Sequence, residues 1–257
     1  MIAEIHGKIS RTGGNLSDRL EDQLTGDIFG ALRYLPFQEG IGPLLQAAHI
    51  EELSALAAAC KLDAWADCLS FWPYHREGEL DALIQTGDLV VGIEVKYHSG
   101  LSSDDEVENQ ETGEAEAWEQ SCNQLARESR IIRELAGDTR FPALIFIADE
   151  AACVSVCQDV GRRNILAQGV RVGFLSWQEI LLVLEGLYNE DPFRACVLAD
   201  MAALLKRKGF ARFAGFDPMG DRPVRPDLFF RYAHREKAGF HFQTELMVEG
   251  DKYYEYR

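Results

Sequence analysis

The sequence lacks an apolar run long enough to cross a bilayer. Its clearest one, Phe141 to Ala148, is strand-sized, whereas a spanning helix needs about 20 apolar residues. No secretory leader is expected either, because residues 1–20 carry Glu4, His6, Lys8, Arg11 and Asp18 with no apolar centre. The six cysteines form no CxxC pair and the six histidines no HExxH pattern. Cys60, Cys68, Cys122, Cys153, Cys157 and Cys196 therefore read as reduced core residues rather than a zinc site or a disulfide frame. A cytoplasmic protein without membrane contact is the expectation.

Positive charge is also scarce. Twenty-six Lys and Arg face 42 Asp and Glu, a formal net charge of −16. A chain this acidic repels phosphate backbones unless its charge is unevenly placed. It is uneven: Asp104 to Glu119 holds eight acids and no base, while Met201 to Phe240 holds nine bases against four acids. Both clusters are compatible with ordinary solvated surface. The first, at 102–113, has no periodicity and reads as a mobile loop, an anionic plug or part of a partner interface.

What is present suits a globular α/β chain: 47% of its residues are hydrophobic and 26% charged. After a Gly-rich arm at 1–16, Leu20, Leu24, Ile28 and Leu32 keep helical spacing up to Pro36. A second helix is expected over 43–60. Strands follow at 66–74, 79–86 and 89–97, then a long helix over 114–136 and the buried strand ALIFIA. A helix near 151–167, the strand VRVGFLS, a helix opened by a Ser176/Glu179 capping box and a helix over 192–208 complete this part. Short strands are expected at 228–233, 240–248 and 253–256. The predicted division is a main domain over 1–200 and a basic C-terminal α+β extension over 201–257.

One hairpin breaks the apolar pattern. In ELDALIQTGDLVVGIEVKYHSG, a two-residue turn at Gly87-Asp88 makes paired positions sum to 175. Asp81 then faces Glu94, and Glu79 faces Lys96; a turn at Thr86-Gly87 leaves all four on one face. Val91, Ile93 and Val95 point the other way into apolar packing. Opposed Cβ atoms lie about 4.5–5.5 Å apart, so two carboxylates there repel unless a proton or cation intervenes. Mg²⁺ suits such a pair and keeps several waters, and Lys96 adds an ammonium to the same face. Charged residues on a half-exposed strand face are the plainer reading.

The pairing of ELD at 79–81 with EVK at 94–96 across a hairpin resembles the PD-(D/E)XK nuclease superfamily. The match covers roughly residues 17–148, with Leu80 standing where proline is frequent. The resemblance implies a restriction-endonuclease-like αβββαβ core, with a mixed central sheet flanked by helices. It implies Mg²⁺-dependent hydrolysis of DNA phosphodiesters, with Mn²⁺ as a substitute ion, by water attacking in line. Asp81, Glu94 and the carbonyl of Val95 then hold metal, and Lys96 positions the nucleophile. Glu21 on the first helix supports the metal, with Asp22 as its rival. Gln124 is favoured over Gln120 as the glutamine on the following helix that orients a phosphate. His98 shares the face of Glu94 and Lys96; His75 reads as loop surface. Phosphate contacts are expected from Lys206, Arg207, Lys208, Arg212 and Arg225, with Arg231 and Arg235 beyond them. Such folds serve as effectors in bacterial defence, including phage defence, or in DNA processing, often as homodimers or with a protein partner. Two other readings remain open: a catalytically inactive assembly module on the same scaffold, and a phosphoesterase acting on RNA or a small nucleotide.

Overall fold

The computed structural model describes residues 16–62, 64–97, 100–105 and 117–212. By contact the chain divides into two units, Met1–Phe213 and Ala214–Arg257, and every described residue belongs to the first. The three C-terminal strands, His98, Arg225, Arg231, Arg235 and residues 106–113 of the acidic stretch lie outside the described residues.

The first helix, α1 (Leu16–Leu32), is followed by α2 (Ile41–Ala47) and α3 (Glu51–Ala59). The continuous helix expected over 43–60 is thus two helices. The break at Ala48–Ile50 has a packing cause: the His49 N–H donates to the carbonyl of Phe174 at 2.9 Å, so the chain leaves the helix to cap a strand. Gly173 makes the contact possible, since a Cβ there would stand 2.4 Å from the His49 carbonyl oxygen. Because the obstacle is backbone, Gly173→Ala is expected to cost about 2–3 kcal/mol, read as a lowered urea midpoint.

Strands β1 (Leu69–Phe71), β2 (Tyr74–His75), β3 (Gly78–Glu79), β4 (Ala82–Gln85) and β5 (Leu89–Val95) come next. Two of the three expected strands therefore arrive in pieces. β2 and β3 form their own two-stranded ribbon between β1 and β4, and there Glu79 pairs with Tyr74 rather than facing Lys96. The β4–β5 register matches Ala82 with Ile93 and Gln85 with Val90, the spacing a Gly87-Asp88 turn dictates. Thr86 closes that turn, its N–H donating to the carbonyl of Leu89 at 2.9 Å.

The expected helix over 114–136 also divides, into α4 (Ala117–Gln120) and α5 (Gln124–Ala136). Asn123 restarts it as an N-cap, its side chain accepting from the N–H groups of Leu125 and Ala126. Then follow β6 (Phe141–Ile147), α6 (Glu150–Arg163), β7 (Arg171–Phe174), α7 (Trp177–Gly186) and α8 (Pro192–Arg207). The Ser176/Glu179 capping box is present at the start of α7.

The main sheet has the order β1-β4-β5-β6-β7. It is mixed: β4 pairs with its neighbours antiparallel, whereas β5, β6 and β7 run parallel. Helices cover both faces. Ile84, Val91, Ile93 and Val95 pack with residues of α1, α2, α7 and α8 in one core. Leu83, Val90, Leu144 and Phe146 pack with α5 and α6 in the other. Glu94 and Lys96, at alternate positions to Ile93 and Val95, belong to the α5 side. Among the described residues no helix is long and apolar enough to cross a membrane.

Candidate functional site

The expected residues converge where β5 ends. On β5, Glu94 is 2% exposed, and Lys96 just beyond it is 8% exposed. Their side chains touch, with Lys96 Nζ 2.8 Å from Glu94 Oε1. Gln124 joins them because Asn123 restarts the helix there, placing Gln124 in the first turn of α5. Its Nε2 donates to the same Glu94 oxygen at 2.6 Å. Gln120, on α4, is exposed, so of the two glutamines Gln124 reaches the acids.

Asp81 stands at the edge of β4, where the ribbon departs. One of its oxygens, Oδ2, accepts from the N–H of Val95 at 2.8 Å, taking the place of a strand partner. Glu21, on α1, does the same one step further along: its Oε1 accepts from the N–H of Tyr97 at 2.8 Å. The two carboxylates thus bracket Lys96 along the chain. The Lys96 backbone is itself fixed, its N–H donating to the carbonyl of Ile147 at 2.6 Å and its carbonyl accepting from Trp177 Nε1 at 2.9 Å.

A further acid completes the cluster. Glu128 is 2% exposed, and one of its oxygens, Oε2, is buried without a hydrogen-bond partner. The helix and strand repeats explain why it meets Glu94. Four helical residues rise about 6 Å, and two strand residues advance about 6.6 Å. Ile132 lies over Gly92, where a Cβ would come within 2.6 Å of Ile132 Cδ1. One turn back along α5, Glu128 falls beside Glu94. The sequence held a signal for it: Glu128 is four residues after Gln124 and so shares its helix face.

The acids are strongly coupled. Burial pushes the Glu94 carboxyl well above its ordinary value and Glu128 pushes it further, against the pull of Lys96. Burial likewise drives Glu128 up to about 8, with the Asp81 charge adding to the effect. The two carboxyls act on each other: Glu128 raises the Glu94 carboxyl further, whereas Glu94 holds Glu128 below the value that burial alone would give it. Burial opposes the Lys96 charge, yet the Glu94 carboxylate, followed by Asp81 and Glu21, raises its pKa.

The start of the acidic stretch is anchored beside the site. Ser102 N–H donates to Gln124 Oε1 at 2.8 Å, so Gln124 is held at both ends of its amide. Asp104 and Asp105 ion-pair with Arg163 at 2.8 and 2.6 Å. Asp105 also accepts from Ser121 and from the N–H of Cys122. These first residues are tied to the turn before α5 rather than folded into the acid cluster.

Of the expected phosphate contacts, Lys206 pairs with Glu185 at 2.6 Å and Arg212 with Glu150 at 3.0 Å. Arg207 is exposed. Lys208 lies over the Tyr97 ring, 5.1 Å from its centroid. His75 sits on the ribbon, 3.5 Å from Glu134. Among the described residues, no group of three or more His, Cys, Asp or Glu side chains is placed to hold a metal ion. No protein-family model, curated protein or solved structure matches the chain.

Proposed function

We propose that the chain is a Mg²⁺-dependent nuclease of the PD-(D/E)XK type, hydrolysing phosphodiester bonds in DNA. The observation that carries this reading is the convergence of Asp81, Glu94, Lys96, Glu21 and Gln124 at one end of the parallel strands, where ligands of open α/β sheets bind. A magnesium ion fits the donors. It needs only one or two carboxylates and completes its octahedron with water, so a set smaller than three acids suffices. The partnerless Glu128 oxygen beside Glu94 is the kind of buried acceptor that a cation or its water would satisfy. Asp81, Glu94 and the carbonyl of Val95 would hold the ion. When bound, it would acidify a water and stabilise charge on the phosphoryl oxygens.

The chain's own residues do the rest. Lys96, its ammonium held on Glu94, is poised to bind a phosphate oxygen or orient the attacking water. Gln124, fixed by Ser102, holds the Glu94 carboxylate in one rotamer. Asp81 and Glu21 hold the backbone on either side of Lys96, which sets the direction of its side chain.

The burial of Glu94 and Lys96 favours a second reading, a catalytically inactive assembly module that keeps the ion pair as structure. Plasmid and linear DNA, and separately RNA, incubated with Mg²⁺, Mn²⁺ or EDTA decide between them. Metal-dependent cutting of DNA that disappears in Asp81→Ala supports the nuclease. Cutting of RNA alone changes the substrate class. No cutting of either, with no heat of Mg²⁺ binding by calorimetry, supports the module.

A further inference from the structure

Resting on the nuclease reading, we infer that Arg163 is a positioning residue for the site: through the segment 102–105 it fixes Gln124, and through Gln124 the Glu94 carboxylate. Arg163 is the last residue of α6. Its ion pairs go to Asp104, Asp105 and Asp159, at 2.8, 2.6 and 3.1 Å, and not to the acids of the site.

Two routes lead from these aspartates to Gln124. The first runs through the helix cap. Asp104 Oδ1 accepts from Asn123 Nδ2 at 2.9 Å. The oxygen of the same amide caps α5, accepting from the N–H groups of Leu125 and Ala126. By taking the amide nitrogen, Asp104 turns the oxygen towards the helix that Gln124 begins. The second route runs along the segment itself. Asp105 accepts from Ser121 Oγ at 2.7 Å and from the N–H of Cys122 at 2.6 Å. Ser103 Oγ donates to the carbonyl of Cys122 at 2.8 Å and accepts from Arg127 at 3.1 Å. The Gln124 N–H donates to the carbonyl of Ser103 at 3.1 Å, and the Ser102 N–H donates to Gln124 Oε1 at 2.8 Å. The segment thus grips Gln124 by both backbone and side chain. With Oε1 committed to Ser102, the amide presents Nε2 to Glu94, at 2.6 Å. A flipped amide would set oxygen against carboxylate.

The aspartates need Arg163 to keep this arrangement. Asp104 and Asp105 are neighbours in the chain, and like charges drawn to one place repel. Among the described residues they ion-pair with no other cation, whereas Asp159 also has Arg162 at 2.6 Å. The planar guanidinium meets Asp104 with one nitrogen and Asp105 with the other, a fork that a neutral side chain lacks. Removing it loosens the segment, and Gln124 loses the partner that fixes its amide. A displacement of about 1 Å at a reacting group, caused from far away, can cost about 10²-fold in rate.

The test joins hydrogen exchange to kinetics. In Arg163→Gln the amides of Ser102 and Cys122, followed by NMR, are expected to exchange about tenfold faster. In cleavage of a labelled DNA oligonucleotide at saturating Mg²⁺, kcat is expected to fall about tenfold with KM within about twofold. Arg163→Lys recovers part of both losses. In a Gln124→Ala background Arg163→Gln lowers kcat no further, because the residue it acts through is gone. Arg162→Gln, a charge-matched change next in the chain, leaves exchange and kcat at wild-type values. Unchanged exchange in Arg163→Gln, or an equal fall in kcat with and without Gln124, overturns the inference and leaves the nuclease reading standing. A wild-type chain that cuts no DNA removes the nuclease reading and the role of Arg163 in it, and exchange still decides whether Arg163 holds the segment.

Discussion

At pH 8 the Glu128→Gln protein melts well above the wild type, and below about pH 4.5 the two melt together. Glutamine reproduces the neutral acid in shape and cannot lose a proton. The difference therefore isolates the proton on Glu128. Burial raises that carboxyl from an ordinary 4.5 to about 8 in the folded chain. Below about 4.5 the group is neutral whether folded or unfolded, and its contribution to stability is whole. As pH rises, the unfolded chain sheds the proton first, and stability drains away until pH passes about 8. At 1.36 kcal/mol per unit, the full loss is on the order of 5 kcal/mol, or about 10–20 °C in Tm for a chain of this size. Glu77 and Asp159, whose pKa values are lowered by hydrogen bonds from Arg130 and Arg163, act in the opposite sense and lose stability as pH falls. Both variants share those groups, so subtraction removes them. Tm recorded by circular dichroism from pH 4 to 9 in EDTA checks the result. Parallel curves for the two proteins would place no proton on Glu128.

Lys96→Met abolishes metal-dependent cutting without unfolding the protein. The ammonium is the charge poised to meet the phosphate or the attacking water, and removing such a group costs about 10²–10³ in kcat. Methionine keeps the length of the apolar stem. Breaking a buried ion pair ordinarily strands its partner's charge, but Glu94 is already driven towards its neutral form by burial and by Glu128. It takes up a proton and stays satisfied by Gln124. Tm is expected to move by only a few degrees while kcat falls by about two to three orders of magnitude. A Lys96→Met protein that cuts at the wild-type rate would leave Lys96 a structural partner of Glu94 and nothing more.

The hairpin and its parity were legible because strand alternation is strict. Once Gly87-Asp88 turned the chain, Glu94 and Lys96 had to share a face, with Ile93 and Val95 on the other. The capping box at Ser176 was legible for the same local reason. Breaks within elements were not. The split at His49 depends on Phe174, more than a hundred residues away, and the ribbon that removes Glu79 from the face of Lys96 is held by Arg127 and Arg130 of α5. Tertiary contacts of this kind leave no periodicity behind. Glu128 lay between these cases. Its spacing from Gln124 was visible, but its meeting with Glu94 required Gly92 to let a helix settle onto bare strand.

Asp81 and Glu21 each use an oxygen on the peptide N–H groups of residues 95 and 97. These carboxylates are therefore splints as well as charges, and the two roles come apart by substitution. Asparagine or glutamine retains an acceptor oxygen for the backbone while removing the anion; alanine removes both. The stretch around Lys96 can thus keep its shape after losing its negative surroundings, or slacken along with them, and the amide and alanine replacements at either position would tell the two apart.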